Sequence, residues 1–297
     1  KIGIILFFIA VGLTLLKPDN WTNPATGGFA PNGLSGIGAG AAIIFFSYIG
    51  FDAVSTAAEE SKDPGKDMPF GIIMSLAICT VLYIALSAVM TGIAPWQTLG
   101  TAEPMITALT FADGPPRLLS ASRFIISLGA VIAMFSVLLV FQLGQPRIFM
   151  SMSRDGLLPP FLAKVHPKFK TPYVGTILTG IFVGVFAAFA NIAEVVDLTN
   201  IGTLFAFVLV SLGVIVLRYK EPERVRPFRV PFVPWTPMIS IVACLYLMFK
   251  LPKVTWERFG IWLLVGLVIY FLYGVRHSRL RIKDKAAGQG GSGAAGQ

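Results

Sequence analysis

The chemistry this sequence offers is concentrated where an apolar run is interrupted. Residues 37–61, IGAGAAIIFFSYIGFDAVSTAAEES, are long and apolar enough to cross a bilayer, yet they carry Gly50, Phe51 and Asp52 near the middle. A spanning helix needs about 20 apolar residues, and in lipid every backbone N–H and C=O must find a partner. A glycine beside a carboxylate at mid-depth is therefore costly unless it lines a polar cavity. Asp52 is also a good helix N-cap, its carboxylate placed to accept from the free N–H groups of a helix restarting at Ala53. The pattern predicts two half-helices with bare peptide between them. The negative end of the first suits a cationic group and the positive end of the second an anionic one. The competing reading is a single kinked helix with a structural glycine.

No other constellation competes with it. Cys79 and Cys244 lie inside apolar runs, and His166 and His277 fall in polar termini of such runs. Neither a disulfide framework, a metal cluster, a nucleophile with its base nor a phosphate-binding glycine loop is suggested, so neither a cofactor nor an enzymatic activity is expected.

The elements that must position the break are membrane spans. Hydrophobic residues make up 55% of the 297 and charged residues 13%, and the mean hydropathy is +0.75, far from the balance of a soluble domain. Spans are expected at 1–16, 37–61, 69–94, 124–143, 173–190, 198–217, 233–249 and 261–273. Between them lie a Pro, Gly and Asn-rich connector (17–35), a polar turn with Pro64 and Gly65 (62–68), and a long connector (94–123) with part of it read as surface helix. A basic loop (144–172), a short acidic link with Glu194 and Asp197, and a basic link (218–231) follow. The tail 286–297 has nothing to bury and is expected to be disordered.

The charge of +9 fits nucleic-acid binding poorly, because it sits between spans. Eight crossings put seventeen of the 24 basic residues on one side and six on the other, with Lys1 left inside a span. The positive-inside rule then places the tail in the cytoplasm.

Three stretches carry a resemblance. FFSYIGFDAVSTAAEE (45–60), GQPRIFMSMSRDGLLP (144–159) and RPFRVP (226–231), in this order among the spans, are similar to the amino acid, polyamine and organocation (APC) transporter superfamily, and most to bacterial cationic amino acid transporter-like proteins. The resemblance implies an all-α polytopic membrane protein with a LeuT-like inverted-repeat fold of twelve spans. The segment 1–16 matches the family's fifth span, 37–61 the sixth, 69–217 the rest of the second repeat, and 233–275 the last two. The chain is accordingly expected to be a fragment lacking the first four spans and, with them, the glycine-rich break that binds the substrate carboxylate.

On that alignment Phe46, Ser47 and Ile49 match the positions whose carbonyls receive a substrate α-ammonium group. Phe46 also resembles an aromatic gate, with ordinary packing as the alternative. Gly50 supplies the unwinding, while Asp52 caps the second half-helix rather than touching substrate. Met134 falls where the family sets a residue against the substrate side chain, and there it would trim the space; Ser136 is a weaker polar candidate. Lys1 aligns with a lysine that stands in for a sodium ion of sodium-coupled relatives and couples proton movement to transport, a buried ammonium being easily deprotonated. Arg147, Arg154 and Asp155, in the loop after the fourth span here, either form an ion pair at the inner exit or are solvated orientation charges.

The function this implies is a secondary active transporter of the bacterial plasma membrane, importing amino acids by alternating access with proton symport. A polyamine or organic-cation carrier and an exchanger are alternatives within transport. A channel would need a continuous polar pore, and a structural or receptor subunit would not need the break. The expected partners are a small amino acid substrate, protons and the lipid bilayer, with room for a small membrane-protein partner and none for nucleic acid.

Overall fold

The computed structural model describes residues 1–22, 28, 30–51, 55 and 61–278. Among these every regular element is helical, and four helices are long and apolar enough to cross a membrane: α4 (Pro64–Ile93), α6 (Pro116–Arg154), α8 (Ile192–Lys220) and α10 (Lys253–Ile269 with its continuation to His277). Four more are apolar but shorter: α1 (Ile2–Thr14), α3 (Gly33–Ile44, extended to Tyr48), α7 (Tyr173–Phe189) and α9 (Trp235–Lys250). Two short helices, α2 (Asp19–Thr22) and α5 (Pro104–Thr110), lie in the connectors. The protein is an all-α polytopic membrane protein.

The chain forms two compact units, Lys1–Leu139 and Val140–Gln297, and α6 passes from the first to the second. The first is organised on α1 and α4. Phe8, Ile93, Leu109 and Ile126 are almost wholly buried in its core. Gly12 of α1 meets Val89 of α4 so closely that a β-carbon there would lie 2.2 Å from a valine methyl. The C-terminal end of α4 is closed by the connector that follows α1: the Lys17 N–H and Asn20 Nδ2 both donate to the Gly92 carbonyl at 2.9 Å. Trp21 Nε1 donates to Thr91 Oγ1 at 3.1 Å, and Lys17 pairs with Asp113. Carbonyls that a helix end leaves without intrahelical donors are thereby satisfied. The polar connector 94–123 supplies core as well as surface, because Ala108 and Leu109 of α5 are wholly buried and Arg123 Nη2 donates to the Leu109 carbonyl at 2.8 Å.

The second unit is built on the α8–α9 pair, where Ser211 and Ser240 hydroxyls meet at 3.1 Å, with α10 also against α8. Arg258 of α10 pairs with Glu194 of α8 at 3.1 Å.

Several element boundaries differ from the sequence expectation. Residues 62–68 are not a turn throughout: α4 begins at Pro64, with Asp67 accepting from Ser61 Oγ at 2.7 Å. Proline is tolerated in a first turn because its missing N–H has no partner there anyway. The loop expected from 144 starts only after Arg154, since α6 runs through Pro146 for 39 residues, about 58 Å. Pro146 costs one intrahelical bond, to the Gln142 carbonyl, but it packs against Gly175 of α7, and the Gln142 side chain ties α6 to α7 there, its Nε2 donating to the Thr176 carbonyl at 2.8 Å. The helix stops where Gly156 takes φ 80° and the Leu157 N–H reaches back to the Met152 carbonyl at 2.9 Å, a Schellman ending. Glu194 and Asp197, expected in a link, lie in the first turns of α8, which Asn191 caps by accepting from the Ala193 N–H at 3.1 Å. Acidic side chains are favoured there by the helix dipole. The last span starts at Lys253 rather than 261 because the polar turn carrying Arg258 is tied to Glu194. The tail expected to be disordered lies outside the described residues.

Candidate functional site

The apolar helix α3 ends before the interruption. Ile44 closes the α-helix, Phe45–Tyr48 tighten into a 3₁₀ turn, and Ile49 leaves helical geometry altogether with φ −61° and ψ 133°. Gly50 follows at φ 121°, a conformation essentially restricted to glycine. The 3₁₀ turn winds tighter than an α-helix and redirects the last carbonyls. The expected restart of a second half-helix at Ala53, and Asp52 as its cap, lie outside the described residues.

The turn places Phe46, Ser47, Ile49 and Gly50 within five consecutive residues, with Phe46 exposed at 41% and Ile49 and Gly50 half-buried. Two of the three expected carbonyls already have donors. The Ile49 N–H donates to the Phe46 carbonyl at 3.2 Å, and the Tyr83 hydroxyl of α4 donates to the Ser47 carbonyl at 2.9 Å. A carbonyl oxygen has two lone pairs, so each retains capacity for a second donor. Tyr83 also meets Tyr48 edge-on, with ring centroids 5.2 Å apart. The result is a turn whose peptide oxygens are oriented by an aromatic hydroxyl on the neighbouring helix.

Tyr83 is the residue that sequence reasoning missed. The available signal was a phenol inside an otherwise apolar span, since a tyrosine hydroxyl within a membrane helix needs a hydrogen-bond partner. The spacing gave no indication that the partner would be the carbonyl of Ser47.

The other expected residues are placed apart from the turn. Met134 lies on α6 with 66% of its surface exposed, and among the described residues no hydrogen bond or ring contact joins it to the turn. Ser136 Oγ donates to its own helix at the Ile132 carbonyl, 3.1 Å away, as a helical serine commonly does. Lys1 is exposed at the N-cap of α1, its carbonyl accepting from the Ile4 and Ile5 N–H groups. Arg147 and Arg154 are not loop residues but belong to the last turns of α6, with Asp155 just beyond; among the described residues no ion pair joins Arg154 to Asp155. A separate shallow groove of the second unit, lined by Leu198, Gly202, Phe259, Trp262 and Leu263 among others, is almost wholly apolar and contains none of these side chains. Among the described residues no group of acidic, histidine or cysteine side chains could hold a metal ion.

An apolar helix opened by a 3₁₀ turn and an extended residue fits a transporter better than a structural span. The sequence model of the family described as Amino acid permease matches residues 1–272. The chain belongs to the amino acid permease family. This permease chain is 50% identical over 94% of its length to a methylthioribose transporter of Bacillus subtilis (strain 168), of which it covers 59%. It is 48% identical, again over 94%, to the branched-chain amino acid permease BcaP of the same organism, of which it covers 58%. To the vacuolar cationic amino acid transporter 4 of Arabidopsis thaliana it is 40% identical over 74% of its length, covering 36% of that protein. The permease chain thus spans less than two thirds of the length of these relatives. Membership places it among the APC-superfamily transporters, and a permease is not an enzyme.

Proposed function

We propose that the protein to which this chain belongs imports amino acids across the plasma membrane by alternating access around the opened helix, with proton symport and with its C-terminal tail in the cytoplasm. The observation that carries this reading is the exit from helical geometry at Ile49 and Gly50, with the Ser47 carbonyl held by Tyr83. Such a turn offers peptide oxygens to a substrate ammonium group, and the adjoining helix end adds partial negative charge. Phe46, beside it and exposed, is the aromatic that closes over the substrate, and Met134 limits the side chain accepted. Gly50 keeps the turn open. Arg147, Arg154 and Asp155 act at the inner end as structural or gating charges. The spans 1–16, 37–61, 69–217 and 233–275 then correspond to the fifth, the sixth, the remainder of the second inverted repeat and the last two spans.

Family membership and a branched-chain amino acid permease at 48% identity support an amino acid as substrate. A second reading is favoured by the equally similar methylthioribose transporter: a small neutral thiosugar in place of an amino acid. The two differ in charge, since an amino acid brings an ammonium and a carboxylate and the thiosugar neither. Proteoliposomes containing the full-length protein should accumulate labelled leucine, with excess unlabelled valine competing and methylthioribose not. Accumulation of methylthioribose without competition by any amino acid would overturn the first reading in favour of the second. Proton coupling is tested separately. Replacing Lys1 by alanine in the full-length protein should flatten the pH dependence of uptake, and an unaltered profile would free Lys1 of that role.

A further inference from the structure

The basic link between α8 and α9 enters the transport reading only through its orientation charges, although it contains the RPFRVP stretch. It is not a slack loop. Arg226 gathers the C-terminal end of α8: its Nη2 donates to the Leu217 and Glu221 carbonyls at 3.0 and 2.6 Å, and its Nη1 to the Pro222 and Arg224 carbonyls at 3.2 and 2.9 Å. The Leu217 carbonyl also accepts from the Glu221 N–H at 3.1 Å, so Arg226 adds a second donor at the helix end and ties the first residues of the link to it, where a cation is favoured. At the other side the Thr236 N–H donates to the Phe232 carbonyl at 3.2 Å, and Thr236 Oγ1 to the Pro231 carbonyl at 2.6 Å. The link is fixed at both ends.

What it holds out is unusual for a water-facing loop. Phe232 has φ 52°, a left-handed backbone that a bulky residue seldom adopts, and its side chain is 83% exposed. Trp235, at the start of α9, is 68% exposed. A strained backbone that presents an aromatic ring outward asks for something that covers the ring. Depth supplies the answer. The sixteen residues of α9 rise about 24 Å, short of a hydrocarbon core of about 30 Å, so the residues that precede it are drawn to the headgroup level. Aromatic side chains are favoured there. At the start of the same stretch and within it, Lys220 and Arg229 are exposed, and among the described residues neither is in an ion pair, whereas Arg224 is paired with Glu221 at 3.0 Å.

We propose that the 220–235 link is a preformed site for an anionic phospholipid, with Phe232 and Trp235 seated among the headgroups and Lys220 and Arg229 on the phosphate. The occupant is a lipid of the bilayer that α8 and α9 cross, recognised by rings that need an interfacial environment and by cations that need an anion. The site is independent of what the transporter carries.

The test is native mass spectrometry of the full-length protein exchanged into mixed micelles of phosphatidylglycerol and phosphatidylcholine. The wild-type protein should retain phosphatidylglycerol in preference to phosphatidylcholine. K220Q and R229Q should each lower that preference, on the order of fivefold per cation removed. Equal retention of the two lipids by the wild type, or an unchanged preference in the double variant, would overturn the proposal. Because a charge variant can fail to fold, a second measurement leaves both cations in place. Brominated phosphatidylglycerol should quench tryptophan fluorescence more than brominated phosphatidylcholine, and Trp235→Phe should abolish the difference. Cross-linked dimers through Trp235→Cys that form equally with and without anionic lipid would assign the surface to a second copy and refute the lipid.

Discussion

Removing one oxygen atom, with Tyr83→Phe, separates a positioned carbonyl from an incidental contact. The hydroxyl donates to the Ser47 carbonyl at 2.9 Å, while the ring meets Tyr48 at 5.2 Å and 83°. Phenylalanine keeps the ring contact and removes only the donor. A net hydrogen bond is worth about 0.5–1.5 kcal/mol, which corresponds to a factor of about 2 to 13 in the population of the turn as it stands. If that geometry is the one that binds substrate, the loss falls on binding: KM for uptake should rise by that factor with the maximal rate little changed. Tyr83→Leu also removes the aromatic pair, worth about 0.5–1.5 kcal/mol more, and should be worse in KM and in heat stability. The assay is initial-rate uptake of labelled leucine by the full-length protein in proteoliposomes, beside thermal unfolding in detergent. Wild-type KM for Tyr83→Phe with a raised KM for Tyr83→Leu would refute the reasoning, because the ring and not the hydroxyl would then set the site.

Two further outcomes follow from packing and charge. Gly12→Leu should lower the melting temperature and the yield, since a β-carbon at Gly12 would lie 2.2 Å from Val89 Cγ1 and overpacking costs about 1–3 kcal/mol; Gly3→Leu, with nothing within 4 Å, is the control that should change neither. Lys17→Met should change thermal stability by no more than about 1 kcal/mol, and less in high salt, because Lys17 and Asp113 are 43% and 84% exposed; a larger loss would mean the connector depends on that pair.

The membrane class was legible in composition alone, because an apolar excess of this size has no other use, and the motifs around Gly50 and Gly144 pointed to the family. Boundaries were less legible, for one recurring reason. Proline and charge break a helix only where packing or an ion pair does not hold it. At Pro146 the helix is held by tertiary contact with α7, through Gly175 and the Gln142 side chain donating to the Thr176 carbonyl; at Pro64 nothing is required, because the first turn lacks that bond anyway. Charged residues near α8 and α10 read as links, yet Glu194 and Arg258 meet each other across the two helices. In the candidate site, glycine beside aspartate indicated where regular backbone would be interrupted. The 3₁₀ tightening from Phe45 was not indicated, and neither was the Tyr83 hydroxyl, whose bond to Ser47 joins residues 36 apart in sequence.

The central claim is that the opened backbone at Gly50 is where substrate binds and moves. At φ 121° any other residue is strained by about 1–3 kcal/mol and would pull the turn toward regular helix. The decisive measurement is labelled amino acid uptake by full-length Gly50→Leu in proteoliposomes, with melting temperature and monodispersity measured on the same preparation. Lost uptake in a protein that remains folded is the predicted result. Undiminished uptake by Gly50→Leu would contradict the claim outright.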